Sequence, residues 1–161
     1  MKNKFLIMRG PSGSGKSTLA KELHDKHLAE GYQVFWLSTD FLFMVDGVYK
    51  FDKDKLHENH TETFADFCKI SSSAYLKSGG YTPACIILDN TNITWWQFFH
   101  YALIAKKFSF EIEQHVPTTK WAFCVDELLK RNKHGTPEET IKRMVKDWQA
   151  VDHIEERIKK L

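Results

Sequence analysis

Gly10-Pro11-Ser12-Gly13-Ser14-Gly15-Lys16-Ser17-Thr18 matches the pattern G-x-x-x-x-G-K-[ST] in full. The chemistry it implies is the capture of a triphosphate. Glycines let backbone N–H groups approach phosphate oxygens closely, and the helix that follows adds the positive end of its dipole. In that arrangement Lys16 bridges the β- and γ-phosphates of ATP and the Ser17 hydroxyl ligates Mg2+. A chance glycine-rich turn would carry the same residues. The apolar run before the loop and the helical pattern after it favour the phosphate reading.

Two carboxylates are the next candidates. Asp40 closes Gln33-Val34-Phe35-Trp36-Leu37-Ser38-Thr39-Asp40, where a base could take the proton of an acceptor hydroxyl. The alternative is a loop or capping aspartate, since aspartate is common at strand ends. Asp89 closes the apolar run Cys85-Ile86-Ile87-Leu88 and suits a second carboxylate near magnesium. Asn90, Thr91 and Asn92 extend this polar edge, or else they cap the helix that follows. Further on, Lys130-Arg131-Asn132-Lys133-His134-Gly135 is basic. Arg131 is a candidate lid arginine that neutralises charge on the moving phosphoryl group. A solvated helix face would look similar.

These residues need a scaffold that brings distant stretches together. Phe5–Met8, Gln33–Leu37 and Ala84–Leu88 read as buried strands, and Phe108 to His115 as an alternating one with Phe110, Ile112 and Gln114 on one side. Helices are expected from Ser17 to about Glu30, stopped by Gly31, and from a cap at Asp52 or Asp54 to about Lys77, ended by Gly79-Gly80. Another runs from a cap at Thr94 to about Lys107. Two or three more follow, split near Gly135-Thr136-Pro137. The stretch around Asp46-Gly47 reads as a loop. Alternating strands and helices predict an α/β fold, a parallel sheet covered on both faces in three layers, with ligands at the carboxyl ends of the strands. The Gly10 loop, Asp40 and Asp89 all fall at those ends.

Composition narrows the classes. With 161 residues, 42% hydrophobic and 27% charged, the chain reads as one globular domain over 1–161. A formal charge of +2 argues against a broad, sequence-blind nucleic-acid binder. Cys68, Cys85 and Cys124 lack a CxxC spacing and read as reduced thiols of a cytoplasmic protein. No apolar run is long enough for a bilayer, and Arg9-Gly10 interrupts the short one at the start. His57 and His60 do not form a metal-ligand spacing and read as a solvated face. Trp95, Trp96, Phe98, Phe99 and Tyr101 read as core or partner packing.

Taken together, Gly10 to Thr18, Ser38-Thr39-Asp40, Asp89-Asn90-Thr91-Asn92 and Arg131-Asn132 resemble the polynucleotide 5′-hydroxyl kinase family of small, AAA-type P-loop kinases. The Nedd-four-binding-protein-like subgroup is similar also at Asp46-Gly47-x-Tyr49-x-Phe51, at Arg131-Asn132-x-His134-Gly135 and at Arg143-Met144. The resemblance implies a P-loop NTPase kinase fold with a helical lid, ATP and Mg2+ as cofactors, Asp40 as base, Asn90 and Thr91 near the substrate, and Arg131 on the lid. It departs at Phe43, where the family keeps an arginine for an acceptor phosphate. A second lid arginine is replaced by Lys133 or His134.

Three functions follow. The first is an ATP-dependent kinase of polynucleotide 5′-hydroxyl ends. The second is a kinase of a small molecule or modified nucleobase, and the third a non-catalytic ATP-binding module. Asp40 disfavours the third, because a switch needs no acceptor base.

Overall fold

The computed structural model describes residues 1–76 and 82–160. Four parallel strands form the main sheet: β1 (Lys4–Met8), β2 (Gln33–Leu37), β5 (Ala84–Asp89) and β6 (Glu111–His115), in the order β2-β5-β1-β6. The two central strands are the most apolar. All of β5 is buried, whereas β2 and β6 at the edges are half-covered. In the chain after β2 comes a separate two-stranded hairpin of β3 (Met44–Val45) and β4 (Val48–Tyr49).

Alternation along the strands sorts the core onto two faces. Phe5, Ile7, Ile86 and Leu88 face one way. There they pack with Phe67 of α2 (Leu56–Leu76), Tyr101 and Ala105 of α3 (Phe99–Lys107), and Ile154 of α6 (Ile154–Lys159). Leu6, Met8, Cys85 and Ile87 face the other way, under Leu19, Ala20 and Leu23 of α1 (Lys16–Ala29). Helix α1 stops at Ala29, and the chain turns away at Gly31, whose φ of +89° is costly for a side-chain-bearing residue. Helices α4 (Val125–Arg131) and α5 (Glu138–Lys146) pack on each other beyond the sheet and form the helical lid. No helix among the described residues is long and apolar enough to cross a membrane.

Several local expectations are corrected. The segment around Asp46-Gly47 is a hairpin and not a loop: both residues have positive φ (52° and 77°), as a tight two-residue turn between twisted strands requires. Helix α2 starts at Leu56, and Asp52 accepts a bond from the Asp54 amide in the turn ahead of it. Its expected end at Lys77 and Gly79-Gly80 lies outside the described residues. Thr94 caps a short 3-10 turn, Trp95–Gln97, in a reciprocal capping box with Gln97, and α3 begins only at Phe99. Phe108 closes α3, so β6 starts at Glu111. Trp95, Phe98 and Tyr101 are core, while Trp96 is exposed.

Candidate active site

The register of the sheet sets the site. Met8 of β1 pairs with Asp89 of β5 and with His115 of β6, and Leu37 of β2 pairs with Leu88. The four strands therefore end at one level, and their following residues share one edge. A cleft of about 440 Å³ opens there. Ser12, Gly13, Gly15, Lys16, Ser17, Thr18, Asp40, Asp89, Asn90, Thr91 and Arg131 line it. Gly10, Pro11 and Ser14 belong to the same loop but are buried and do not line the cleft.

The loop between β1 and α1 depends on its glycines. Gly10, Gly13 and Gly15 have φ of +144°, +82° and +98°. A Cβ on Gly13 would stand 2.5 Å from the carbonyl oxygen of Leu128 in α4, so this glycine also lets the lid helix rest on the loop. The Gly10 amide donates to the Thr91 carbonyl at 2.8 Å and the Ser14 amide to the Pro11 carbonyl at 3.2 Å. Lys16 Nζ donates to the Pro11 carbonyl at 2.9 Å. Burial pulls the Lys16 pKa down, and Asp89 and Asp40 oppose this. Burial pushes the Asp89 carboxyl up, against Lys16 and a hydrogen bond from the Ser17 side chain. Lysine, hydroxyl and carboxylate thus form one compensated cluster on the cleft floor.

Ser38 joins the second strand end to the third. Its hydroxyl donates to the Asp89 carbonyl at 2.8 Å and accepts from the Asp40 amide at 3.3 Å. The Thr39 amide donates to Asn90 Oδ1 at 3.0 Å. Ser38-Thr39-Asp40 and Asp89-Asn90 are therefore one hydrogen-bonded unit that aims the half-exposed Asp40 carboxylate into the cleft. None of Asn90, Thr91 or Asn92 caps α3. Asn92, buried with φ of +46°, donates to the Met8 carbonyl at 2.8 Å and ties β5 to β1.

Arg131 closes α4, donates to Glu127 at 3.0 Å, and lies over the Trp121 ring at 4.2 Å. Lys130, Asn132, Lys133 and His134 also line the cleft, as does Trp121. Phe43, which stands where the resemblance would place an acceptor-binding arginine, is only 2% exposed and packs on Tyr49 and Phe51. His57 is exposed, and no group of three metal-ligating side chains occurs among the described residues.

Sequence reasoning missed two features. Arg9 is 1% exposed. It donates to the carbonyls of Asn92, Ile93 and Gln149 and to Gln114 Oε1, between the rings of Phe98 and Trp148. Burial, then Arg157, push its pKa down to about 10, which leaves it charged at neutral pH. It locks the loop after β5 to the C-terminal segment. A charge directly after a buried strand was the available signal, because such a group demands partners. The second feature is Tyr49, whose hydroxyl donates to Asp40 Oδ1 at 3.1 Å.

Residues 5–151 match a protein family described as AAA domain. Human NEDD4-binding protein 2 is 35% identical over 145 residues, which is 90% of this chain and 8% of that protein. The chain thus spans a small part of that relative's length. Among solved structures, the Mycobacterium tuberculosis APS kinase CysC in complex with AMPPNP and APS aligns at a TM-score of 0.58 and 15% identity, over 99% of this chain and 95% of that one. Chaetomium thermophilum Kti12 in complex with ADP-AlF3 aligns at 0.54 and 15%, over 91% and 80%. At those identities the two structures show a shared fold.

Proposed function

The chain belongs to the AAA domain family and has the P-loop kinase fold, and on that premise we propose that it transfers the γ-phosphate of ATP to a hydroxyl, with polynucleotide 5′-hydroxyl ends as the acceptor. The observation that carries this reading is the position of Asp40. Its carboxylate lines the same cleft as Lys16 and Ser17, where a base can reach a hydroxyl beside the γ-phosphate. Two neighbours of the same fold, solved with AMPPNP and with ADP-AlF3, support ATP as donor. The basic rim of Lys130, Arg131 and Lys133 suits a polyanionic acceptor, in keeping with the resemblance of the sequence motifs to the polynucleotide 5′-hydroxyl kinase family.

In this mechanism the acceptor oxygen attacks the γ-phosphorus. The new O–P bond forms as the bond to the β,γ-bridging oxygen breaks, ADP leaves, and the hydroxyl proton passes to Asp40. The loop amides and Lys16 hold the phosphates. Arg131 offsets charge on the transferring group from the lid. Ser17 and the buried Asp89, side by side, are oxygen donors that fit Mg2+, and a buried carboxylate beside a phosphate site favours a cation there. Bound there, Mg2+ would neutralise charge on the β- and γ-oxygens.

The test is transfer from γ-labelled ATP to a panel of 5′-hydroxyl RNA, 5′-hydroxyl DNA, nucleosides, sugars and duplex DNA. Labelled 5′ ends are the expected outcome. Label confined to nucleosides or sugars would move the acceptor to a small molecule. ATP binding with no transfer at all would leave a binding module.

A further inference from the structure

Two residues that bear no catalytic role in the reading above, Tyr49 and His134, converge on Asp40. The Asp46-Gly47 turn folds β4 back so that Tyr49 reaches Asp40 Oδ1 at 3.1 Å. From the lid, His134 brings Nε2 to 3.8 Å from Asp40 Oδ2. The His134 ring also rests against the Tyr49 ring, with centroids 4.5 Å apart. The lid loop is built to present this histidine. Asn132 Oδ1 accepts from the His134 amide at 3.2 Å, Asn132 Nδ2 donates to the Thr136 carbonyl at 2.9 Å, and Gly135 takes a φ of +65°.

The two carboxylate oxygens are therefore unlike. Oδ1 is occupied by a donor from the hairpin. Oδ2 faces an imidazole nitrogen that is too far for a direct hydrogen bond. With 3.8 Å between the two atoms, a hydroxyl oxygen seated about 2 Å to one side of the line joining them would lie about 2.8 Å from each, an ordinary hydrogen-bond length. There it would donate its proton to Oδ2 and accept the Nε2–H of His134. We propose that His134 and Asp40 Oδ2 form a two-sided clamp for the acceptor hydroxyl, with Tyr49 as the positioning residue that leaves Oδ2 to the proton. This rests on the kinase reading, and in it His134 binds the acceptor directly. It also defines the ligand: a neutral group that donates and accepts at one atom. A hydroxyl qualifies, and a protonated amine, with no lone pair, does not. Because Arg131 and His134 share one short lid segment, engaging the hydroxyl also seats the lid.

The experiment measures binding of a 5′-hydroxyl oligonucleotide and its 5′-deoxy counterpart in the presence of AMPPNP, alongside turnover with ATP. The wild-type protein should bind the 5′-hydroxyl form about tenfold more tightly. His134→Ala removes one jaw and leaves Asp40, so it should cut that discrimination severalfold and raise the acceptor KM by a similar factor, with the ATP KM unchanged. His134→Gln, which keeps an N–H donor of similar reach, should recover most of it. Tyr49→Phe should lower kcat more than it raises the acceptor KM. Discrimination undiminished in His134→Ala while wild-type protein transfers phosphate overturns the clamp and leaves the kinase reading standing. Absence of wild-type transfer to every acceptor overturns the kinase reading itself. If the acceptor proves to be a nucleoside, the same comparison is run with that nucleoside and its 5′-deoxy form, with the same deciding outcome.

Discussion

On the proposed function the cleft has a phosphate side and an acceptor side, and the two are built differently. On the phosphate side, one continuous stretch from Gly10 to Thr18 supplies the loop, and its charged groups are buried among mutual partners. The acceptor side is assembled from Asp40 on a 3-10 turn, Tyr49 on a hairpin and His134 on a lid loop, with Asp40 and His134 both about half exposed. A phosphate group is the same in every ATP, so a local, rigid cradle serves. In the proposed reaction an acceptor must enter and leave, and the residues assigned to it lie on three separate elements. The comparison predicts that substitutions on the phosphate side disable the protein whatever the acceptor, while those on the acceptor side act through one substrate.

The largest effect is expected at Lys16. Lys16→Ala removes the loop's charged side chain, and turnover should fall about 10³-fold for every acceptor, by the scale of lost charge stabilisation in a closed site. Near-normal turnover in that protein would break the phosphate-side assignment. Asp40→Asn keeps shape but takes no proton, so kcat should fall about 10²-fold with ATP affinity preserved. Asp89→Asn should instead raise the magnesium needed for half-maximal rate. A magnesium titration of the two variants separates the carboxylates, and a reversed pattern means that their roles are exchanged.

Arg131→Lys keeps the charge but loses the planar fork. It should cost about tenfold in kcat, roughly one charge-assisted hydrogen bond, and less in ATP binding, as read from steady-state rates and calorimetry. A smaller effect concerns Phe43. Buried as it is, it offers nothing to a phosphate, so a 3′-phosphate beside the 5′-hydroxyl should change the acceptor KM little. A strong preference for the 3′-phosphorylated acceptor would place a cation of the lid, such as Lys133, in that task.

The subtlest test bears on stability. His27 on α1 is 2% exposed, and neither ring nitrogen has a hydrogen-bond partner among the described residues. Burial lowers its pKa from 6.5, so the unfolded chain binds the proton more readily. Its contribution is therefore complete above about pH 6.5 and is lost as the pH falls below that value. The unfolding midpoint should drop across that range, and by less in His27→Gln. An equal drop in both proteins would assign the acid sensitivity to other groups.

Much of this was legible without coordinates, and unevenly so. The loop pattern, the apolar strands and the stop at Gly31 are local: a glycine spacing or a run of buried side chains names its own conformation. From alternation alone it followed that Gly10, Asp40 and Asp89 meet at one edge, since a parallel sheet ends its strands together. The hairpin at Asp46-Gly47 carried a turn signal, but its strands of two residues each are too short to show a period. The histidine of the lid looked like part of a basic run, because nothing in its neighbours records the distance to Asp40.

By itself, the sequence determined the triphosphate loop, the α/β layering and the edge where polar strand ends gather, because each depends on residues near in the chain. Only the tertiary structure decided that Arg9 is a buried clasp and not the end of an apolar run, that Phe43 turns inward, and that Tyr49 and His134 divide the oxygens of Asp40. These outcomes rest on packing and hydrogen bonds between residues many positions apart. Such contacts form only when the sheet, the hairpin and the lid have fixed where each backbone stands.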